Sequence, residues 1–250
     1  MFKLYISILL TIISTAKSIP NHFHPYGVSF GDVILPESDD GSVIIGLGAK
    51  IKFFSNDFQK LFVNTNGVIS FLFPTFDFVP IKFPSLNPLI APFWTDLTTL
   101  NGGKIFYRES TNINDLKQAK ILTTSAGFTS FDPTRVFIIT WDKVPAYGIS
   151  SANSTNTFQT VIAISETSTF LNFNYDSLQI FSKSITIGGN MGDGINFYEF
   201  PVNFTRNVSN LVSQSNVNVP GKWLLQVDKF NINLLSSLPA PALQVQALEV

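Results

Sequence analysis

The apolar residues of this chain are distributed mainly in the manner of β-strands. Residues 170–176 alternate apolar and polar side chains, which predicts a strand with one buried face and one solvated face. The pair Asn66-Gly67 separates two apolar runs. Because a type I′ turn needs positive φ at both central residues, this pair predicts a β-hairpin over residues 61–73.

Three further segments have the character of strands. Residues 136–141 are apolar nearly throughout and rich in β-branched side chains, as expected for a strand covered on both faces, and 156–164 and 222–228 also follow strand patterns. Five prolines punctuate residues 74–92. Since proline cannot donate a hydrogen bond to a sheet, this stretch is predicted to be an extended, irregular connection.

One segment has helical character. Asn114 can cap a helix from Asp115 to about Ala126, with apolar residues spaced for one face and Gly127 placed to end it. A helix of this length needs a sheet to pack on. We therefore predict a mainly β fold class, with two packed, mostly antiparallel sheets in a sandwich-like arrangement and one helix packed on a face.

The composition provides a large apolar core without covalent cross-links. The 250 residues include 25 phenylalanines, and charged residues make up 13% of the chain, about half the usual share of roughly 25%. Cysteine is absent, so no disulfide contributes to stability. Folding therefore has to rest on the burial of apolar surface, at about 25 cal/mol per Å².

The N-terminus has the pattern of a secretory signal peptide. Lys3 precedes an apolar stretch over residues 4–13, and Ala16 and Ser18 form a small-residue cleavage pattern. The apolar stretch is shorter than the roughly 20 residues of a bilayer-spanning helix, which disfavours a permanent anchor. We predict that residues 1–18 are a signal peptide, cleaved after Ser18.

The remainder is predicted to be one secreted domain over residues 19–230, followed by a flexible tail over residues 231–250. No segment after the signal peptide has the length and apolar character of a membrane span. Without residues 1–18 the chain keeps 14 basic and 17 acidic side chains, a formal charge of −3. That charge is too small to direct the protein to nucleic acid or to an anionic lipid surface.

The residues needed for common catalytic sites are scarce. Nucleophile and base pairs usually need histidine or cysteine, and the chain has only His22 and His24. Both lie near the predicted mature N-terminus, where order is usually poor. We therefore predict no enzyme, no catalytic residue and no cofactor. A paired-carboxylate site stays formally open for Asp96, Asp142, Asp176 and Asp193.

Two acidic stretches are candidate metal sites. Asp39-Asp40-Gly41-Ser42 and Gly192-Asp193-Gly194 place oxygen ligands beside glycines, as calcium would require. Neither stretch matches a calcium-binding loop, and Asp-Gly is first of all a turn dipeptide. We predict no metal site, although calcium binding at these turns stays open.

Three Asn-x-Ser/Thr sequons predict N-glycosylation at Asn153, Asn203 and Asn207. Asn153 lies in a polar stretch that has the composition of an exposed loop. It is therefore the strongest of the three candidates.

Five short motifs follow one another along the chain: VNTNGVISF at 63–71, PFWTD at 92–96, TWDKV at 140–144, NTFQ at 156–159 and PGKW at 220–223. This series resembles the nidogen-like (NIDO) module of nidogen and alpha-tectorin. The resemblance extends from about Phe23 to Asp228, with the family core at about 90–229. Two positions depart from the family pattern, because Thr98 stands where a second aspartate is common and a frequent tryptophan is replaced near Ile180.

The resemblance implies a role rather than a reaction. Proteins with this module are extracellular matrix and cell-surface components, so it implies cell-matrix adhesion or matrix scaffolding through contacts with an extracellular protein. The aromatic residues of the motifs are expected to lie in the core: Phe93, Trp94, Trp141 and Trp223. Two other roles stay open, a self-assembling coat or gel protein and a glycan-binding β-sandwich.

Overall fold

The computed structural model describes residues 18–149, 154–179, 184–200 and 207–228. In these ranges the chain forms twelve strands, two α-helices and one short 3-10 helix (Val28–Phe30). The strands are β1 (Val33–Ile34), β2 (Ser42–Phe53), β3 (Asn56–Asn64), β4 (Ile69–Ser70), β5 (Leu89–Trp94), β6 (Lys104–Ser110), β7 (Arg135–Pro145), β8 (Thr155–Ile164), β9 (Thr169–Ser177), β10 (Thr186–Asn190), β11 (Phe197–Glu199) and β12 (Lys222–Gln226). The helices are α1 (Ile113–Ser125) and α2 (Ser209–Ser213).

The strands form two six-stranded sheets. The first sheet has the order β1-β6-β7-β8-β9-β12, and the second has the order β11-β10-β5-β4-β3-β2. All paired neighbours are antiparallel. This arrangement confirms the predicted fold of two packed sheets with a helix on a face.

The main core lies between the sheets and is rich in aromatic side chains. The Trp141 ring stacks on Phe158 with the ring centroids 4.8 Å apart, and Phe93 of the second sheet meets Phe158 edge-on at 5.5 Å. Trp223 packs against Phe200 from the same interior. All four aromatic residues predicted to be core residues have no exposed surface, which confirms that prediction: Phe93, Trp94, Trp141 and Trp223.

The outer face of the first sheet is covered, which corrects one prediction from the sequence. The polar residues Asn172 and Asn174 of β9 were expected to face solvent, but they are 4% and 0% exposed. Helix α1 lies over this face, where Ala119 and Leu122 join the same apolar cluster as Phe170. Residues 18–32, which we call the N-terminal segment, cover the adjoining part of this face. Gln159, which lies beside Asn174, accepts a hydrogen bond from the backbone N–H of His24.

The predicted hairpin is present, although its turn type differs from the prediction. Strands β3 and β4 pair through Phe62 with Ser70 and Val63 with Ile69. Only Gly67 of the turn has positive φ, at 74°, and its N–H donates to the Asn64 carbonyl. This geometry fits a three-residue hairpin loop that ends in a left-handed glycine rather than a type I′ turn.

The helix starts earlier than the sequence predicted. Helix α1 begins at Ile113, and the side chain of Asn112, not of Asn114, accepts a hydrogen bond as the N-cap. The proline-rich stretch is irregular up to Pro88, as expected, but Pro92 lies inside β5. The neighbouring strand β10 has a bulge between Thr186 and Gly188 at this point, which accommodates a residue that cannot donate.

Candidate functional site: an exposed apolar loop

The connection between β4 and β5 exposes an unusual number of large apolar side chains. We call residues 72–86 the apolar loop. Its exposed members and their exposed fractions are Leu72 45%, Phe73 64%, Phe76 59%, Phe78 52%, Val79 54%, Ile81 37% and Leu86 77%. With about 200 Å² of surface on a large apolar residue, these fractions sum to roughly 780 Å² over the loop. For comparison, the largest contiguous apolar patch on most monomers covers about 300–600 Å².

Buried polar side chains hold the backbone of this loop from below. The Asn64 amide donates to the Thr75 carbonyl, and the Trp94 indole N–H donates to the Asp77 carbonyl at 3.0 Å. The hydroxyl of Ser70 donates to the Phe73 carbonyl at 2.6 Å. The backbone of the loop is therefore fixed by side chains from the hairpin and from β5.

The far end of the loop is held in the same way. The Asn190 amide nitrogen donates to the Ser85 carbonyl at 3.0 Å and to the Asn87 carbonyl at 2.9 Å, and its oxygen accepts from the Ser85 N–H. The Phe83 ring is buried between these anchors and packs edge-on against Phe197. Phe83 therefore faces inward within the loop, as do Thr75 and Pro80, between the outward-facing apolar side chains.

Two of the sequence motifs supply these anchors. Asn64 belongs to VNTNGVISF, and Trp94 belongs to PFWTD. The motif residue Asn66 adds a longer bond to the Asp77 carbonyl, at 3.4 Å, and accepts from the Leu97 N–H at 2.7 Å. The motifs therefore shape the apolar loop from within while remaining buried themselves.

A second notable feature is a buried ionic network beneath the N-terminal segment. The Asp115 carboxylate at the start of α1 accepts from Arg108 Nη2 at 2.9 Å and from the Ser110 hydroxyl at 2.7 Å. Arg108 Nη1 also donates to Asp32 at 2.7 Å. Hydrogen bonds from His24, Ser110 and Arg108 lower the pKa of Asp115 to about 2, although burial alone would raise it.

His24 takes part in this network, which corrects the expectation that both histidines lie in a poorly ordered end. His24 is 1% exposed, its Nδ1 lies 3.3 Å from Asp115, and Gln159 bonds both its N–H and its carbonyl. Burial lowers the pKa of His24. His22 is half-buried, with Nε2 3.1 Å from the Tyr175 carbonyl. These contacts fasten the segment rather than form a reactive site.

Three carboxylates converge at one end of the sandwich. The ligand oxygens of Asp39, Asp40 and Asp96 lie within 4.8 Å of one another. Burial, followed by repulsion from Asp40, raises the pKa of both Asp39 and Asp96. The Asn66 amide donates to Asp40 at 2.7 Å. Among the described residues this is the group with the geometry to hold a cation, and the prediction of no metal site stays a prediction.

The other residues singled out in the sequence are dispersed. Asp142 and Asp176 line one cavity beside the N-terminal segment, Asp96 converges with Asp39 and Asp40, and Asp193 stabilises its own turn by accepting from the Asn196 N–H. The four aspartates of the paired-carboxylate hypothesis therefore have three different sets of neighbours.

The sequons are only partly within the described structure. Asn207 is exposed and its side-chain oxygen accepts from the Ser209 hydroxyl of the same sequon at 2.5 Å. Asn153 and Asn203 lie outside the described residues. Glycosylation at the three positions stays a prediction.

The apolar loop was missed by sequence reasoning. The proline spacing predicts an irregular connection, but it does not predict that the phenylalanines of this stretch are exposed. A signal was present, because prolines and large apolar residues alternate closely from Pro74 to Pro88. Prolines on that spacing leave too few donors to bury the backbone in a sheet, so part of the segment had to remain at the surface.

Fold and site together define a cysteine-free β-sandwich that presents an apolar surface on an internally fixed loop. A family model described as the nidogen-like domain matches residues 59–229, and the chain belongs to that family. It is 32% identical to alpha-tectorin of Mus musculus over 247 residues, which cover 91% of this chain and 11% of the relative. It is 33% identical to nidogen-2 of Mus musculus, covering 88% of this chain and 18% of the relative.

A more distant similarity, at 28% identity, connects the chain with the dendrite extension defective protein 1 of Caenorhabditis elegans, covering 89% of this chain and 20% of the relative. The chain thus spans a fifth or less of the length of these three relatives. No solved structure matches it. Within the described residues, no helix combines the length and the apolar character needed to cross a bilayer.

Proposed function

We propose that this protein is a secreted, non-enzymatic module that docks onto an extracellular matrix or cell-surface protein through the apolar loop. The observation that carries the proposal is the pairing of seven exposed apolar side chains with a backbone held by buried hydrogen bonds. Membership of the nidogen-like family supports the extracellular setting. The proposal also includes an export signal at 1–18, a single domain over 19–230 and glycans at Asn153, Asn203 and Asn207.

The size of the surface supports a protein partner. A stable interface of standard size buries about 800 Å² on each side, and the seven apolar residues of the loop together expose roughly 780 Å². The loop carries one acidic and one basic side chain, Asp77 and Lys82. A largely uncharged surface with phenylalanine at its centre has the composition of an interface core.

The fixed backbone of the loop supports specific binding rather than non-specific hydrophobic adsorption. Ordering a flexible loop on association costs free energy. The bonds from Asn64, Trp94 and Asn190 order this backbone before a partner binds, so the loss of backbone entropy on binding is small. Aromatic side chains, phenylalanine included, are enriched in the cores of protein interfaces. Phe73, Phe76 and Phe78 are therefore the residues proposed to carry the contact.

The test compares two variants of the secreted protein for retention on a decellularised matrix. The first carries Phe73→Ser, Phe76→Ser and Phe78→Ser, and the matched control carries Val28→Ser and Phe30→Ser, which replace comparably exposed residues outside the loop. Truncation of a central aromatic contact costs about 2 kcal/mol or more. We expect the loop variant to lose at least 30-fold in apparent affinity, and the control to stay within 3-fold of the wild type.

Equal retention of the loop variant and the wild type would overturn the proposal. Light scattering on the same proteins separates the alternative of self-assembly, because concentration-dependent oligomers that vanish in the loop variant would make a second copy the partner. Retention that is released by simple sugars and unaffected by the loop substitutions would favour glycan binding instead.

A further inference from the structure

A small cavity of about 220 Å³ lies where the N-terminal segment meets the first sheet. Its wall includes Ile19, Tyr26, Phe106, Asp142 and Asp176, and Lys143 also borders it. The wall thus combines two carboxylates and two aromatic rings with one ammonium group. Carboxylates and aromatic rings in the same wall favour a compact cation.

The chain beside the cavity is fixed almost to the predicted cleavage point. The Phe23 N–H donates to the Pro20 carbonyl at 2.9 Å, which closes a turn. His22 reaches the Tyr175 carbonyl in β9, at 3.1 Å. Tyr26 donates its hydroxyl proton to Asp142 at 2.9 Å. Pro20, the residue after Ile19, is therefore held by the turn, and His22 and Tyr26 are held by their bonds to the sheet.

We propose that the cavity is the binding site of the mature amino terminus, in which the α-ammonium group of Ile19 pairs with the carboxylates of Asp142 and Asp176. Cleavage after Ser18 creates this cation at the cavity wall, since Ser18 and Ile19 both border the cavity. The inference rests on the proposed export of the chain and is independent of the apolar loop. Removal of the signal peptide then completes the folded structure as well as releasing the protein.

The chemistry of the two carboxylates fits this role. A carboxylate accepts several hydrogen bonds, so Asp142 can accept from an ammonium group in addition to the Tyr26 hydroxyl. Burial, followed by the charge of Asp142, raises the pKa of Tyr26. The charges of Lys143, at the cavity wall, and of Lys222, which acts on the adjacent His22, oppose the binding of a cation, so the pairing depends on direct contact with the two carboxylates.

The first experiment identifies the terminus and measures its titration. N-terminal sequencing of the secreted protein is expected to begin at Ile19. After the α-amino group is labelled by ¹³C-dimethylation, an NMR pH titration is expected to give a pKa at least one unit above the labelled amino terminus of the urea-unfolded chain. Asp176→Asn should remove most of the shift, whereas the control Asp132→Asn, at a highly exposed carboxylate, should leave it unchanged.

The second experiment moves the charge without touching the cavity wall. A protein with one glycine added before Ile19 displaces the ammonium group by about 3.5 Å, and is expected to unfold about 2–4 °C lower than the protein that begins at Ile19. The difference should vanish in the Asp142→Asn, Asp176→Asn double variant. Tyr26→Phe controls for the lost hydroxyl bond.

Three results would overturn the inference. They are a secreted chain that begins elsewhere than at Ile19, an α-amino pKa equal to that of the unfolded chain, or a melting temperature that the added glycine does not change. Matrix retention of the same proteins is measured separately. If the amino-terminus inference fails but matrix retention is normal, the proposal that the apolar loop is the docking surface is unaffected.

Discussion

Replacing Asp115 by asparagine is expected to destabilise the domain strongly at neutral pH and less strongly in acid. The carboxylate accepts from Arg108 through both oxygens and from Ser110, and all three residues are buried. Asparagine keeps the shape but removes the charge. Arg108 then keeps Asp32 as its remaining acidic partner in a site with little water.

The magnitude follows from the pKa of the carboxyl group. The pKa falls from 3.8 to about 2 in the folded protein, which corresponds to about 2 kcal/mol of stabilisation at pH 7. The asparagine amide nitrogen would in addition direct a donor toward Arg108 or Ser110 where the carboxylate has an acceptor, so the substitution should cost about 3 kcal/mol. Because the folded pKa is the lower one, the stabilisation is complete well above pH 3.8 and is lost as the pH falls toward 2.

Urea unfolding followed by tryptophan fluorescence measures this effect, since Trp94, Trp141 and Trp223 are all buried. At pH 3 the stabilisation from Asp115 should be about half of its value at pH 7, so the gap between wild type and variant should narrow by about 1 kcal/mol. The control is Asp132→Asn, whose side chain is 88% exposed and pairs with Lys120 at 3.7 Å.

The control should change the free energy of unfolding by less than about 0.5 kcal/mol. A cost below about 1 kcal/mol for Asp115→Asn at pH 7, or a cost that is the same at both pH values, would refute the assignment of the network as a source of stability. The slope of the urea transition should be equal in all three proteins, which shows that the unfolded reference state is unchanged.

Three further changes have definite expected outcomes. Asp96→Asn should raise the melting temperature at pH 7 and have less effect at pH 4, because the raised pKa means that the ionised carboxylate destabilises the folded state above its unfolded pKa; a drop at pH 7 would instead indicate a bound cation. Gly67→Ala should cost more than about 1 kcal/mol in thermal unfolding, since φ is +74° and the new Cβ would lie 2.2 Å from the Phe93 carbonyl oxygen; Gly46→Ala, where the Cβ meets nothing within 4 Å, is the control. Asn207→Gln should remove one glycan from the secreted protein, seen as a smaller mass loss on treatment with an N-glycosidase, and an unchanged mass would contradict occupancy of this exposed site.

The strands could be predicted because their signals are local. The unbroken apolar run of β7 and the turn at Gly67 each report on a few neighbouring residues, and the sandwich follows from several such segments. Burial of Asn172 could not be predicted, because it depends on α1 lying over the sheet. An alternating pattern says which side chains share a face, but not what covers that face.

The candidate site was hidden for a related reason. Phe71, Phe73 and Phe83 are the same residue type within one connection, yet the first is fully buried, the second is 64% exposed and the third is 8% exposed. Their directions are set by anchors such as Asn190, which lies 105 positions beyond Ser85. His24 was misjudged similarly, since its partner Gln159 is 135 positions away.

The anchors of the apolar loop bond to main-chain carbonyls at Phe73, Thr75 and Asp77, not to the side chains at those positions. Every residue has the same carbonyl, so an exchange of the outward side chains leaves the supporting bonds intact. If the loop carries the proposed contact, substitutions of its outward side chains can therefore change the partner without changing the hydrogen bonds that support the loop.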